Sequence, residues 1–246
     1  LQYKTKNKAP AGNGFVPTAG HASKILLVLN HTLLDQHLIL TTERSIFWEE
    51  EKALILSDLH LGKTGHFRKS GIAVPGKVNS NDLHRLFSQI QFFKPEKLII
   101  VGDLFHSSEN KQLLLFKKWR DDHRHTDFIL VRGNHDILPD SWFQQSGINI
   151  RTGKFDLGPF SFIHDRDDLE STGEKYVFSG HIHPSVMISG KGRQSLRLPC
   201  FLFRPKEAIL PAFGSFTGSY TLEPTKKDSV FLITESEIIK MPAGKN

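Results

Sequence analysis

Short apolar runs alternate with polar turns from residue 25 onward. The pattern predicts strands at 25–29, 38–40 and 45–48, a solvated turn at Glu49-Glu50-Glu51, and a further strand Ala53-Leu54-Ile55-Leu56-Ser57. The period then changes. Leu83, Leu86, Phe87, Ile90 and Phe93 recur three and four residues apart, which places them on one face of a helix over 82–93, and Pro95 helps to end it. A strand at 98–101, a helix that starts at Ser107 or Ser108 and runs through Leu115, Phe116 and Trp119, and a strand at 127–131 repeat the strand-helix-strand order. Such units imply right-handed crossovers with helices covering a sheet. Past about residue 150 strands predominate, at 154–156, 160–163, 175–179, 185–188, 201–204, 207–209, 229–234 and 237–240. Two sheets packed face to face with helices outside would bury both apolar strand sets. The expected fold is therefore an α/β four-layer α/β/β/α sandwich, one domain over residues 25–246.

What stands where these runs end is chemically selective. Asp58 and His60 follow the run at 53–57, Asp103 follows Leu98-Ile99-Ile100-Val101-Gly102, Asn134 and His135 follow the run ending at Gly133, and His181 and His183 follow Tyr176-Val177-Phe178-Ser179-Gly180. His164 ends Phe160-Ser161-Phe162-Ile163. In α/β sheets the crevice outside the carboxyl ends of the strands is where ligands bind, because loops converge there over a rigid base. Carboxylates, imidazoles and one amide oxygen suit two divalent transition ions better than the all-oxygen shell of magnesium or calcium. Aspartate and histidine two apart, as in Asp58-Leu59-His60, can converge on one ion where a strand has just ended. So can His181-Ile182-His183, where Pro184 opposes continuation as a regular ladder. Gly62, Gly102, Gly133 and Gly180 permit close backbone approaches beside them.

Composition narrows the classes. The formal charge of +6 invites a nucleic-acid reading, but Lys4, Lys6, Lys8 and Lys24 stand in an acid-free opening rich in glycine, proline and polar residues. Residues 1–24 are expected to be a disordered or loosely attached basic extension, able at most to add nonspecific attraction to phosphate. No run approaches the roughly 20 apolar residues of a membrane span, so no membrane partner is expected and the chain reads as cytoplasmic. The single cysteine, Cys200, excludes an internal disulfide and a thiolate zinc cluster, and its flanks Leu198-Pro199 and Phe201-Leu202 mark a buried inert thiol.

The motifs Asp58-Leu59-His60, Gly102-Asp103, Gly133-Asn134-His135-Asp136 and Gly180-His181-Ile182-His183, with the separate His164, resemble those of the calcineurin-like metallophosphoesterase family over roughly residues 45–240. Within that family the chain looks most like the bacterial ligase-associated DNA damage response endonucleases. The stretches that carry this are Ser57 to Lys63, Gly180 to Pro184, Ser195-Leu196-Arg197-Leu198-Pro199-Cys200-Phe201 and Leu210-Pro211-Ala212-Phe213-Gly214-Ser215-Phe216-Thr217-Gly218. The resemblance implies that Asp58, His60, Asp103 and His183 hold one metal, and Asp103, Asn134, His164 and His181 the other, with Asp103 as the bridge. It implies further that His135 is a catalytic histidine that binds no metal and that protonates the leaving oxygen or stabilises phosphoryl charge. Asp136 either orients His135 or caps its loop.

The reaction expected on this basis is phosphoester hydrolysis by a dinuclear phosphodiesterase, a DNA endonuclease or nuclease acting in DNA repair beside ligase or helicase partners. Manganese is favoured by the mixed nitrogen and oxygen shell, with zinc, iron or nickel as alternatives. Two other functions stay open: a small-molecule phosphatase or cyclic-nucleotide phosphodiesterase, and a metal-bearing interaction scaffold without catalysis. Lys63, His66 and Arg68 either face substrate phosphate or form a solvated basic loop, and His106 either lines the pocket or caps the next helix. Phe213, Phe216 and Tyr220 either stack bases or, as the apolar flank Ile209-Leu210-Pro211 favours, pack against the second sheet.

Overall fold

The computed structural model describes residues 3–5, 26–62, 78–106, 110–167, 173–190, 192 and 194–242. The first sheet runs β1 (Tyr3–Thr5), β2 (Leu26–Leu33), β3 (Gln36–Thr41), β4 (Ile46–Trp48), β5 (Ala53–Leu56), β6 (Lys97–Val101), β7 (Asp127–Val131) and β8 (Ile148–Arg151) in that spatial order. From β2 to β5 the pairings are antiparallel; from β5 to β8 they are parallel. The change follows from the connections. Tight turns join the early strands, whereas helices α1 (Val78–Phe93) and α2 (Asn110–Asp121) lie between the later ones and return the chain to the same end. A short helix α3 (Asp140–Gln145), which the sequence pattern did not announce, precedes β8.

The second sheet is built from β9 (Lys154–Leu157), β10 (Phe160–Ile163), β11 (Tyr176–Ser179), β12 (Pro184–Ser189), β13 (Ser195–Phe203), β14 (Glu207–Ile209) and β15 (Tyr220–Thr221). On a branch from β13 stand β16 (Ser229–Ile233) and β17 (Ile238–Lys240). Pro184 opens β12 rather than ending pairing beyond the histidine motif, a position where the missing N–H is tolerated. Strands β10, β11 and β14 are mutually parallel, so this sheet also gathers several carboxyl ends on one side.

The layers follow from strand alternation. Ala53 and Ile55 of β5 face the second sheet with Ile99, Val101, Ile129 and Val131, and meet Phe160, Phe162, Phe178, Phe201 and Phe231. The alternate residues Leu54, Leu56, Leu98, Ile100, Phe128 and Leu130 face the helices and meet Leu86, Ile90, Phe116 and Phe143. Burial on both faces is what parallel strands under a helical layer require. The three described helices all pack on the first sheet. The outer face of the second carries Val186, Cys200, Leu202, Ile209, Val230 and Leu232, with Ile182, Leu198, Leu222 and Met241 packed against them. Cys200 is fully buried there and its thiol is pushed up to about 12 by burial, which agrees with an inert role.

One expectation needs correction. Phe213 packs in the helix-covered core of the first sheet, under the guanidinium of Arg85, and not against the second sheet. In α2, which runs through Leu115, Phe116 and Trp119 as expected, Leu113, Phe116 and Trp119 face the sheet and Leu115 is exposed. No described helix is long and apolar enough to cross a membrane.

Candidate metal centre

Asp58 lies just past β5, Asp103 past β6, Asn134 past β7, His164 past β10, and His181 and His183 past β11. All five strands run parallel to a neighbour, so their ends converge where the two sheets meet. Main-chain bonds hold the strand ends together within each sheet. Asp58 N–H donates to Gly102 O at 3.1 Å, His60 N–H to Asp103 O at 2.8 Å, and Gly180 N–H to His164 O at 3.2 Å. The His181 N–H reaches across the sheets to the Asp58 carboxylate at 3.1 Å.

The backbone at these residues is unusual. Asp58, His60, Asp103, His181 and His183 have φ of 53°, 48°, 50°, 65° and 52°, in the left-handed region that costs of order 1–3 kcal/mol when imposed on a side-chain-bearing residue. Aspartate and histidine are among the residues that tolerate it best. The conformation turns the chain sharply at the strand end, so that ligands two apart face the same space.

Four described glycines leave no room for a Cβ, Gly102, Gly133, Gly180 and Gly214, and the first two are the tightest. A Cβ at Gly102, where φ is +80°, would lie 1.9 Å from His164 Nδ1, and one at Gly133 would lie 2.2 Å from Asp103 Oδ1.

Asp58, His60 and His183 form one group whose ligand atoms lie within 4.8 Å of one another, and Asp103, His164 and His181 form a second. In the first, His183 Nε2 stands 3.2 Å from Asp58 Oδ1. In the second, Asn134 Oδ1 lies 3.1 Å from His164 Nε2 and 3.2 Å from His181 Nδ1, and those two nitrogens are 3.2 Å apart. Asp103 Oδ2 joins the groups, at 3.7 Å from His60 Nε2 and 3.5 Å from His164 Nε2.

These residues fit divalent ions. Ligand atoms about 2.1 Å from a shared ion necessarily lie about 3 Å apart, which is the spacing of the Asn134, His164 and His181 donors. Asp58 and Asp103 are 0 % and 2 % exposed, and among the described residues neither has a lysine or arginine partner. Two buried carboxylates in that state call for cations. The outward nitrogens are also fixed, as metal ligation requires. His164 Nδ1 bonds Val101 O at 3.1 Å and His183 Nδ1 bonds Gly218 O at 2.9 Å, which turns each Nε2 toward its group. His181 is reversed: Nδ1 faces its group and Nε2 lies 3.7 Å from Asp165 Oδ2. Asp165, adjacent to His164 in sequence, was not singled out by the sequence pattern.

His135 stands beside these groups rather than within them. Its N–H donates to Asp103 Oδ1 at 2.9 Å, and its ring centroid is 5.4 Å from that of His60 and 4.4 Å from that of His106. His106 therefore sits in the imidazole cluster. Asp136 does not bond the His135 ring. Its carboxylate accepts from Gly133 N–H at 3.0 Å and Phe105 N–H at 3.1 Å, tying the loop that bears Asn134 and His135 to the loop that bears Asp103. Burial pushes that carboxyl up to about 6 against those two bonds, aided by the charge of Asp103. Phe216 and Tyr220 are exposed, and Lys63, His66 and Arg68 lie outside the described residues.

Electrostatics give the site a defined pH response. Burial alone would lower the His164 pKa, but its hydrogen bond to Asp103 and the charges of Asp58 and Asp103 raise it to about 9. Burial would raise Asp103, yet His164, the His135 N–H and His60 bring it to about 2. The His164 contribution to stability is thus complete below its unfolded value near 6.5 and is lost as pH rises through about 9. Ion binding at the second group works in the opposite sense, because His164 must give up its proton. Apparent metal affinity, measured by chelator competition, should rise about tenfold per pH unit between roughly pH 7 and 9 and flatten above. Affinity independent of pH over that interval would show that ion binding displaces no proton from His164 there.

Residues 51–170 match the calcineurin-like phosphoesterase family. Among solved structures, the Pseudomonas putida nuclease MPE is 28% identical, with alignment over 86% of this chain and 100% of that one and a TM-score of 0.73. The E. coli phosphoesterase Yfce aligns over 78% of this chain and 99% of its own at 14% identity, with a TM-score of 0.43. No curated protein matches the chain at the significance applied. The matched segment holds Asp58, Asp103, Asn134, His135 and His164 at the ends of their strands, and the fold is of the metallophosphoesterase type, so the site is that of a metal-dependent phosphoesterase similar to the calcineurin-like ones.

Proposed function

We propose that the protein is a dinuclear phosphodiesterase that cleaves DNA, an endonuclease or nuclease of the PdeM type working in DNA repair. The observation that carries this is the pair of ligand groups sharing the Asp103 carboxylate, with His135 beside them. The likeness to a nuclease over the whole of that chain supports a polynucleotide substrate. The repair setting, with ligase or helicase partners, rests on the resemblance in the Ser195 to Phe201 and Leu210 to Gly218 stretches. Manganese suits the site best, because four imidazoles and an amide join two carboxylates around a centre that must also accept phosphate oxygens.

When bound, the ions would neutralise phosphoryl charge and supply a water acidic enough to attack at neutral pH. The chain supplies the rest. Asp103 keeps the two groups at a fixed separation, Asp58 and His183 anchor one side, and Asn134, His164 and His181 the other. His135 delivers a proton to the leaving oxygen or stabilises the charge that develops there. Asp136 holds the loop so that the ring stays beside the groups and not inside them.

The manganese-loaded protein should cut single-stranded or duplex DNA and also turn over bis(p-nitrophenyl) phosphate, whereas cyclic nucleotides should be poor substrates. Turnover of the small ester with no cleavage of either DNA would defeat the nuclease reading in favour of a small-molecule phosphatase. Turnover of none of these substrates by fully loaded protein would favour the scaffold.

A further inference from the structure

A cavity of about 120 Å³ opens beside His183, the one ligand candidate in its lining; the rest of the lining plays no part in the metal groups and does not include His135. That is room for about four waters by liquid volume, the scale of one phosphate group and its shell. Two guanidiniums, Arg44 and Arg197, line it together with the hydroxyl residues Ser215, Thr217 and Ser219, and no carboxylate does so among the described residues.

The wall is built rather than incidental. Strand β13 carries Arg197 opposite Met187 of β12, the strand that begins directly after His183, so Arg197 is registered to the metal motif by a continuous ladder. The opposite wall is the segment from Ala212 to Tyr220. Phe213 N–H and Gly214 N–H donate to Ser57 O and Asp58 O at 2.8 and 3.0 Å, and Tyr220 N–H donates to His183 O at 3.0 Å. Ser215 N–H is held by Asp82 at 3.0 Å, and the Thr217 hydroxyl donates to Gly214 O at 3.0 Å. Arg44 forms the floor, in the left-handed region at φ 67°, with Nη1 donating to Ala212 O at 3.2 Å. A groove of about 720 Å³ shares Arg44, Pro199 and Ser215 with the cavity, but Glu43 and Glu235 line it and its Arg85 is held by Glu43 and Asp82, so the cationic character is confined to the cavity. A niche of two guanidiniums beside a candidate metal ligand suits a second phosphate of a polymer that carries them in series.

We propose that this cavity binds a non-scissile phosphate of the polynucleotide substrate, with Arg197 as its principal ligand, so that the strand leaves the ions past Arg197. The proposal rests on the polynucleotide reading above. Flanking-phosphate contacts position a nucleic acid without reading its sequence, so the site would set register and affinity and not base preference.

Arg44 also supports the Ala212 carbonyl, and its removal would loosen the wall, so the test falls on the exposed Arg197. Full-length manganese-loaded protein is compared with Arg197→Ala and Arg197→Lys on a single-stranded oligonucleotide and on bis(p-nitrophenyl) phosphate. Oligonucleotide affinity is also measured against salt in a His135→Ala background. Arg197→Ala should raise KM for the oligonucleotide about tenfold, as for loss of one charge-assisted hydrogen bond, with a several-fold smaller loss on the small ester. The slope of log affinity against log salt should fall by about 0.7, and Arg197→Lys should recover part of the loss. If wild-type protein cuts the oligonucleotide while Arg197→Ala loses no more on it than on the small ester, with an unchanged salt slope, the subsite alone is overturned. If wild-type protein turns over the small ester but neither binds nor cuts the oligonucleotide, the polynucleotide reading fails and the subsite with it.

Discussion

Asp103→Ala is expected to reduce bound metal from about two ions per chain to less than one and to lower phosphoester turnover by on the order of 10³-fold. The reason is its position. Asp103 Oδ2 is within 3.7 Å of His60 Nε2 on one side and 3.5 Å of His164 Nε2 on the other, so one substitution removes a negative donor from both groups. It also removes the acceptor of the His135 N–H at 2.9 Å, which lets the catalytic loop drift. Asp58→Ala should impair the first group more than the second, because its ion-pair contacts are with His60 and His183. Metal analysis of matched preparations decides the point, with circular dichroism to show that the fold persists. Two ions retained in folded Asp103→Ala would sink the bridging assignment.

Much of this arrangement is legible in the sequence because it depends on residue chemistry at the ends of apolar runs. Asp58, Asp103 and Asn134 stand where strands must stop, and an unpaired carboxylate or amide there needs an explanation that a turn alone does not give. What is not legible is the backbone that aims them. The positive φ at Asp58, His60, Asp103, His181 and His183 leaves no trace in composition, because aspartate and histidine are ordinary strand-end residues as well as tolerable left-handed ones. Phe213 shows a second limit. Apolar flanks announce burial but not which layer receives it, and the hydrogen bonds from Phe213 and Gly214 to Ser57 and Asp58 carry that ring over to the helical side.

The same reasoning explains which elements escaped detection. Helix α3 is too short at 6 residues to show a period, and the Pro139 before it reads equally well as a loop. Strand β13 begins at Ser195, six residues before its expected start, because Arg197 and Pro199 interrupt the apolar pattern. Those interruptions are the residues that line the cavity beside His183, so the part of the strand hardest to read from periodicity is the part that faces the site. Asp165 was hidden differently: it follows His164 directly, and adjacency in sequence gives no hint that its carboxylate faces His181 and not its neighbour.

His135→Ala should leave metal content within error of the unchanged protein and yet lower kcat by about 10²–10⁴-fold on substrates with poor leaving groups. Its ring touches the cluster through His60 and His106, at centroid distances of 5.4 and 4.4 Å, but it belongs to neither ligand group. Truncation therefore removes no donor, and the Asp136 bonds to Gly133 and Phe105 keep Asn134 in place. The leaving group separates the two roles open to the imidazole. An alkoxide such as a deoxyribose oxygen must be protonated as it departs, whereas p-nitrophenolate is stable without a proton. If His135 is the proton donor, the loss on bis(p-nitrophenyl) phosphate should be at least tenfold smaller than on DNA, since the assisted step is then unnecessary. If it stabilises charge on the phosphoryl oxygens, the two losses should be alike, because that charge develops whatever departs. Unchanged kcat on both substrates would remove His135 from the mechanism, and His106, whose ring is tilted against it at 4.4 Å in the same cluster, would become the next residue to replace.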